Sequence, residues 1–310
     1  MSSFLTIAES VISTWKSMQR PVVGAFIFGS VAQRGYHAVG SDIDFCVVTP
    51  NTPNPEWFEE RIVSEETVEI YPLALSELKN EDAVLSSAAL PFNICQGIVV
   101  LDQDRILESV RTRISPKLCD KTYVLKRVES CYKAACTSYS DARNALQNLD
   151  DMSAVRFGTT VGLWHTIALA SAMECRCPTM RRGFVYVWND AHNWSRPDVI
   201  KLARRALGSF NLTRESAVNL TESASIINPR NRAAILSMVE NGEIEQTAFP
   251  LICVAVWSKE CAANSEAREQ IFDFFGYGQQ DTLQEHLQAS ELLTDVILEI
   301  AQAKLRSSSL

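Results

Sequence analysis

Apolar positions along the chain fall into two regimes. Over residues 4–19, Phe4, Ile7, Ala8, Val11, Ile12 and Trp15 recur three or four apart, which predicts an amphipathic helix stopped by Pro21. The apolar runs that follow are short and dense. VVGAFIF at 22–28, IDFCVVT at 43–49, TVEIYPLAL at 67–75 and GIVVLD at 97–102 have the length of buried strands, and polar or Gly/Pro-containing stretches separate them. A short helix is predicted after the last strand, over 103–114.

Beyond Pro116 the period changes. Val124, Val128, Cys131, Ala135, Tyr139, Ala142, Leu146 and Leu149 step by three or four throughout, which predicts one long helix. Residues 153–173 are apolar nearly all round, the pattern of a central buried helix. Further helices are predicted at 196–208, 230–241, 247–263 and 282–305, with a frayed LRSSSL tail. The fold class is therefore α/β (α+β): residues 1–115 form a head with a small mixed sheet, and residues 116–310 form a C-terminal all-α helical bundle. A chain of 310 residues also exceeds what one hydrophobic core serves.

Charge sharpens this division. The net charge is -8, from 29 Lys+Arg against 37 Asp+Glu. Residues 1–115 carry 8 basic and 15 acidic residues, whereas residues 116–310 carry 21 and 22, so nearly all the excess lies in the head. Such a surface disfavours a nucleic-acid partner bound through bulk charge, although the segment 176–205 is locally basic, with seven Lys+Arg against two Asp. Nine cysteines with no CxxC pair give no zinc-ribbon spacing and read as reduced thiols. The first residues lack the apolar core of a secretory signal, and no apolar run reaches the roughly 20 residues of a membrane span. A cytoplasmic protein with no membrane partner is expected.

The chemistry concentrates in FIFGSVAQRGYHAVGSDIDFCVV, residues 26–48. A buried strand ends at Gly29-Ser30, where the backbone can approach an anion and Ser30 can both cap the next helix and offer a hydroxyl. Eleven residues after Ser30 comes Ser41, then Asp42-Ile43-Asp44. In a strand, residues two apart share a face, so Ile43 enters the core while both carboxylates face a cleft. Paired hard-oxygen ligands suit Mg²⁺. Glu69, alternating with Val68 and Ile70, joins the same cluster if its strand pairs with 43–49; Glu65 and Glu66 are its rivals from a charged run. Arg34 can touch phosphate or stand in a solvated loop, and His37 and His165 read as a surface and a core histidine.

Phe28-Gly29-Ser30, the spacer with Arg34-Gly35, and Ser41-Asp42-Ile43-Asp44-Phe45 together resemble the DNA polymerase β-like nucleotidyltransferase superfamily. The GSxAxG…SDID form is common in its small bacterial branch, which includes antibiotic-modifying enzymes. The resemblance implies that Gly29 and Ser30, with Arg34 and Ser41 nearby, bind the nucleotide phosphates. It implies that Asp42 and Asp44 bind Mg²⁺, two ions in all, and that Glu69 completes the metal site or takes the proton of the acceptor. The catalytic and metal-binding set is then Asp42, Asp44 and Glu69. Many members have Asp at the third place.

The function expected is that of an Mg-dependent nucleotidyltransferase. It would move NMP from an NTP, with ATP the commonest donor in the resembled branch, to a hydroxyl of a small-molecule acceptor and release pyrophosphate. The helical residues 116–310 would shape the acceptor pocket. Two alternatives stand beside it: nucleotidylation of a protein or tRNA, for which the basic segment is the support, and a nucleotide-binding interaction module without turnover.

Overall fold

The computed structural model describes residues 2–34, 41–257 and 265–307. The chain divides into two compact units, Met1–Val124 and Leu125–Leu310. In the first, the elements run α1 (Ser2–Ser17), β1 (Gly24–Phe28), α2 (Gly29–Arg34), β2 (Ile43–Thr49), β3 (Glu59–Val63), β4 (Glu66–Ala74), three short helices α3 (Leu75–Lys79), α4 (Glu81–Ser86) and α5 (Leu90–Gln96), β5 (Ile98–Asp102) and α6 (Ile106–Ile114). The sheet has five strands in the order β3-β4-β2-β1-β5. It is mixed: β2 and β4 are parallel and the other neighbours antiparallel.

Strand alternation builds the two faces. Ala25, Ile27, Ile43, Phe45, Val47, Val68 and Ile70 pack on Ile7, Ala8, Val11 and Trp15 of α1. Phe26, Cys46 and Val48 point the other way, onto Leu78, Val84, Leu85, Ile94, Leu107 and Val110 of the short helices and α6. Burying side chains of this size contributes about 1.5–3 kcal/mol each, so both faces are needed to stabilise so small a sheet. Asp102 ends β5 and accepts from the backbone N–H of Leu107 and Glu108, at 2.8 and 3.0 Å, so this acid serves as a helix cap.

The edge strand β3 was not expected from the sequence. Its residues Glu59-Glu60-Arg61-Ile62-Val63 lack apolar alternation. What holds it is ionic: Glu59 accepts from the indole of the fully buried Trp15 at 2.8 Å, from Arg20 at 3.0 Å and from Arg61 at 2.9 Å. The Arg20 guanidinium lies 5.0 and 5.5 Å from the rings of Trp15 and Trp57.

The second unit is helical. Its elements are α7 (Lys121–Gln147), whose first turn belongs to the head, α8 (Asp151–Val155), α9 (Leu163–Met173), α10 (Gly183–Asn193), α11 (Pro197–Leu207), α12 (Arg214–Ser223), α13 (Pro229–Glu240), α14 (Ala248–Trp257), α15 (Ser265–Phe275) and α16 (Gln280–Ser307). The expected single helix over 153–173 is interrupted: Arg156–Gly162 form a π-helical segment between α8 and α9. A Cβ at Gly162 would lie 2.3 Å from the Tyr139 ring, so α7 approaches this segment closely. The Tyr139 hydroxyl meets those of Thr166 and Thr294 at 2.9 and 3.0 Å, a buried triad joining α7, α9 and α16. On α16, His286 has its two ring nitrogens against the carbonyls of Arg205 and Phe275, at 2.5 and 2.9 Å, and so ties together the ends of α11 and α15. The part of the predicted 247–263 helix beyond Trp257 lies outside the described residues, as do the last three residues of the tail.

Cys46, Cys95, Cys131, Cys136, Cys177 and Cys253 are free thiols, whereas Cys119 and Cys175 are each engaged in a disulfide, a departure from the uniformly reduced thiols expected. Among the described residues, no helix is long and apolar enough to cross a membrane.

Candidate functional site

The site begins where β1 ends. Gly29 has φ +69°, in the left-handed region, and a Cβ there would lie 1.9 Å from Asp44 Oδ2. Glycine is thus required twice, for the turn and for the approach of the Asp44 carboxylate to the backbone. Ser30 stands in the first turn of α2, and its hydroxyl donates to the buried Ser41 hydroxyl at 3.1 Å. The two halves of the Gly-Ser…Ser-Asp motif are therefore closed onto each other. Arg34 ends α2; its side chain and His37 lie outside the described residues.

Strand β2 places the acids as its alternation requires. Ile43 and Phe45 are buried toward α1, and Asp44 leaves the opposite face, half-buried, with Asp42 half-buried just before the strand. The parallel pairing with β4 sets Asp44 opposite Glu69. The antiparallel pairing of β4 with β3 then sets Glu69 opposite Glu60. One row across four strands reads Phe28, Asp44, Glu69, Glu60. Parity separates Glu69 from its rivals. Glu66 shares the α1 face with Val68 and Ile70, and Glu65 sits in the β3–β4 turn with φ +72°.

Tyr71, two residues beyond Glu69 on the same face of β4, donates its hydroxyl to Glu69 Oε2 at 2.6 Å. Burial pushes its phenol pKa far up, reinforced by the Glu69 hydrogen bond and by the negative charges of Glu69, Asp44 and Asp42. All three expected acids thus act on one phenol, which stays a protonated donor. The ring is flanked by Phe28 and the exposed Phe58, with centroids 5.4 and 5.1 Å away.

Residues 7–89 match the family model for the nucleotidyltransferase domain. Residues 7–89 of the head thus form a nucleotidyltransferase domain, similar to those of the DNA polymerase β-like superfamily. A solved structure titled as a nucleotidyltransferase-like protein, from Exiguobacterium sibiricum, is similar at 14% identity over 86% of this chain and 80% of that one, with a TM-score of 0.34. No curated protein matches the chain.

In this nucleotidyltransferase domain the carboxylates fit a hard divalent cation by chemistry, since Asp42, Asp44 and Glu69 offer oxygen donors on one sheet face. Among the described residues, however, no three His, Cys, Asp or Glu side chains are gathered closely enough to hold a metal ion as they stand. Sequence reasoning missed Glu60 and Tyr71. The Glu60 position depends on the pairing of an edge strand with no apolar period. Tyr71 carried a readable signal, as the next same-face residue after Glu69 in β4.

The other candidates belong to the second unit. His165 is half-buried on α9, and burial lowers its pKa. In the basic segment, Arg176 grips Asp190, Arg182 pairs with Glu243, Arg196 with Asp198 and Arg204 with Glu245.

Proposed function

We propose that this chain transfers a nucleoside monophosphate from an NTP, with ATP as the donor, to a hydroxyl of a small-molecule acceptor. The observation that carries the reading is the register of β2 and β4, which puts Asp44 opposite Glu69 at the end of the Gly29-Ser30 turn. Gly29 and Ser30, supported by Ser41 and Arg34, take the β- and γ-phosphates. Asp42 and Asp44 would hold Mg²⁺ with Glu69 completing the set, and two ions there would supply neutralisation of the charge that builds on the triphosphate. The acceptor oxygen attacks the α-phosphorus, the bond to the bridging oxygen of the β-phosphate breaks, and pyrophosphate leaves. The acceptor proton passes to a carboxylate, the role assigned in this reading to Glu69. Supply of NTP puts this activity in the cytoplasm.

A macromolecular acceptor is the weaker reading. Its support was the basic segment, and four of the seven cations there are neutralised by acids of the same unit. The test is incubation of the full chain with each NTP, Mg²⁺ and a cell extract divided into metabolite, RNA and protein fractions. Mass spectrometry should find a nucleotidyl mass shift in the metabolite fraction together with pyrophosphate release. A shift confined to RNA or protein overturns the acceptor class, and no pyrophosphate from any NTP overturns the activity.

A further inference from the structure

Tyr71 has no part in the chemistry just described, yet one hydrogen bond and two ring contacts hold it at the site. It lies two residues after Glu69 on β4, so both side chains leave the same face of the strand. Its hydroxyl donates to Glu69 Oε2 at 2.6 Å. Its ring is held edge-on against Phe28 on one side and Phe58 on the other, at 5.4 and 5.1 Å. A phenol with so little freedom to turn is a fixed donor, and a fixed donor fixes the group that it grips.

Glu69 needs that grip for two reasons. A glutamate has three side-chain torsions and loses much rotamer freedom when it is held in one place. Strand pairing also sets it between Asp44 and Glu60, where like charge drives carboxylates apart. A neutral hydroxyl offsets both effects at once, because it orients the carboxylate without adding a charge that would compete for a cation.

We propose that Tyr71 is the positioning residue of this site, holding the Glu69 carboxylate in one rotamer as the fixed member of the set, toward which the Asp42 and Asp44 side chains turn when a divalent cation binds. The proposal rests on the metal-dependent transfer reading above. Tyr71 acts through Glu69 and touches neither nucleotide nor acceptor.

The test uses Mn²⁺ as the probe, read by electron paramagnetic resonance on the full chain with α,β-methylene ATP bound. Tyr71→Phe keeps the ring between its two neighbours and removes only the hydroxyl. It should weaken Mn²⁺ binding roughly tenfold, the worth of a hydrogen bond to a charged group, with an unchanged thermal midpoint. In a Glu69→Gln background the same change should cost nothing further, because the group that Tyr71 holds has lost its charge. A general packing role would lower both backgrounds equally, and that result overturns the proposal. Wild-type Mn²⁺ affinity in Tyr71→Phe, beside a clear loss in Asp44→Asn, overturns the positioning role alone. Wild-type affinity in Asp44→Asn overturns the metal reading, and the role of Tyr71 falls with it.

Discussion

In the helical unit, cations meet acids on other elements of the same unit: Arg176 grips Asp190, Arg182 pairs with Glu243, Arg204 with Glu245, and Lys304 with Glu174. In the head, strand register does the reverse at one end of the sheet, setting Asp44 beside Glu69 and Glu69 beside Glu60. Like charges directly opposite each other on a sheet destabilise it by a few tenths of a kcal/mol or more per pair. Elsewhere in the head the acids are structural too, as Asp102 shows by capping α6 and Glu59 by anchoring β3 to α1. The row through Asp44 thus gathers like charge on neighbouring strands, where the helical unit sets opposite charges together. Three acids aligned across neighbouring strands mark a site more clearly than the net -8 of the chain does.

Asp44→Asn tests this contrast most severely. Nucleotidyl transfer should fall by about three orders of magnitude or more, roughly 4 kcal/mol of transition-state stabilisation, because a ligand of the phosphate-bound cation is lost. The thermal midpoint should stay at or slightly above that of the wild type, since one repulsive partner of Glu69 is neutralised. Pyrophosphate release and calorimetry check the two halves of the claim. An active variant ends the assignment of Asp44, and a markedly less stable one ends the argument that the charge of Asp44 repels that of Glu69.

The opposite outcome is expected in the helical unit. Asp190 is buried, with Arg176 Nη1 donating to Oδ1 at 2.9 Å and Nη2 to Oδ2. Asp190→Ala leaves the half-buried guanidinium without its partner on α10 and should cost about 3–5 kcal/mol of unfolding free energy by urea titration. A loss below about 1 kcal/mol would show that the pair behaves like an exposed one. Between these extremes lies Gly29→Ala. It forces a side chain into left-handed backbone and into Asp44 Oδ2, so it should cost about 2–3 kcal/mol of stability and most of the transfer activity together. A fully active, fully stable Gly29→Ala would mean that the close approach of Asp44 to the turn has no role.

The same contrast decides what could be read from the sequence. Ile43, Phe45, Val68 and Ile70 announce buried strands, and their alternation alone fixes which way Asp44 and Glu69 point. The long helices α7, α11, α13 and α16 were legible because a period of three to four survives burial of one face. Strand β3 was not, because it is held by Glu59 to Trp15 and Arg20, contacts 39 to 44 residues away along the chain. The π-helical turn at Arg156–Gly162 was hidden for a different reason. Its buried positions are Gly158, Thr159, Thr160 and Gly162, small or weakly polar residues that carry little phase, so the wider π turn leaves no mark on the apolar pattern. The partners of Arg182 and Arg204 were equally invisible, because Glu243 and Glu245 lie 61 and 41 residues away along the chain.

The smallest expected effect isolates the helical unit by pH. His165 sits half-buried on α9, where burial holds its pKa below the ordinary 6.5. At pH above 6.5 the imidazole is neutral whether the chain is folded or not, so its full contribution to stability is present. As the pH falls below that value the unfolded chain takes up the proton first, and stability is lost until the lowered folded pKa is passed. Thermal midpoints of the wild type should therefore drop between about pH 7 and about pH 5 by more than those of His165→Gln, which has no proton to bind there. Equal drops would mean that burial of His165 costs the folded chain nothing on protonation, and that acid sensitivity in this range originates elsewhere in the chain.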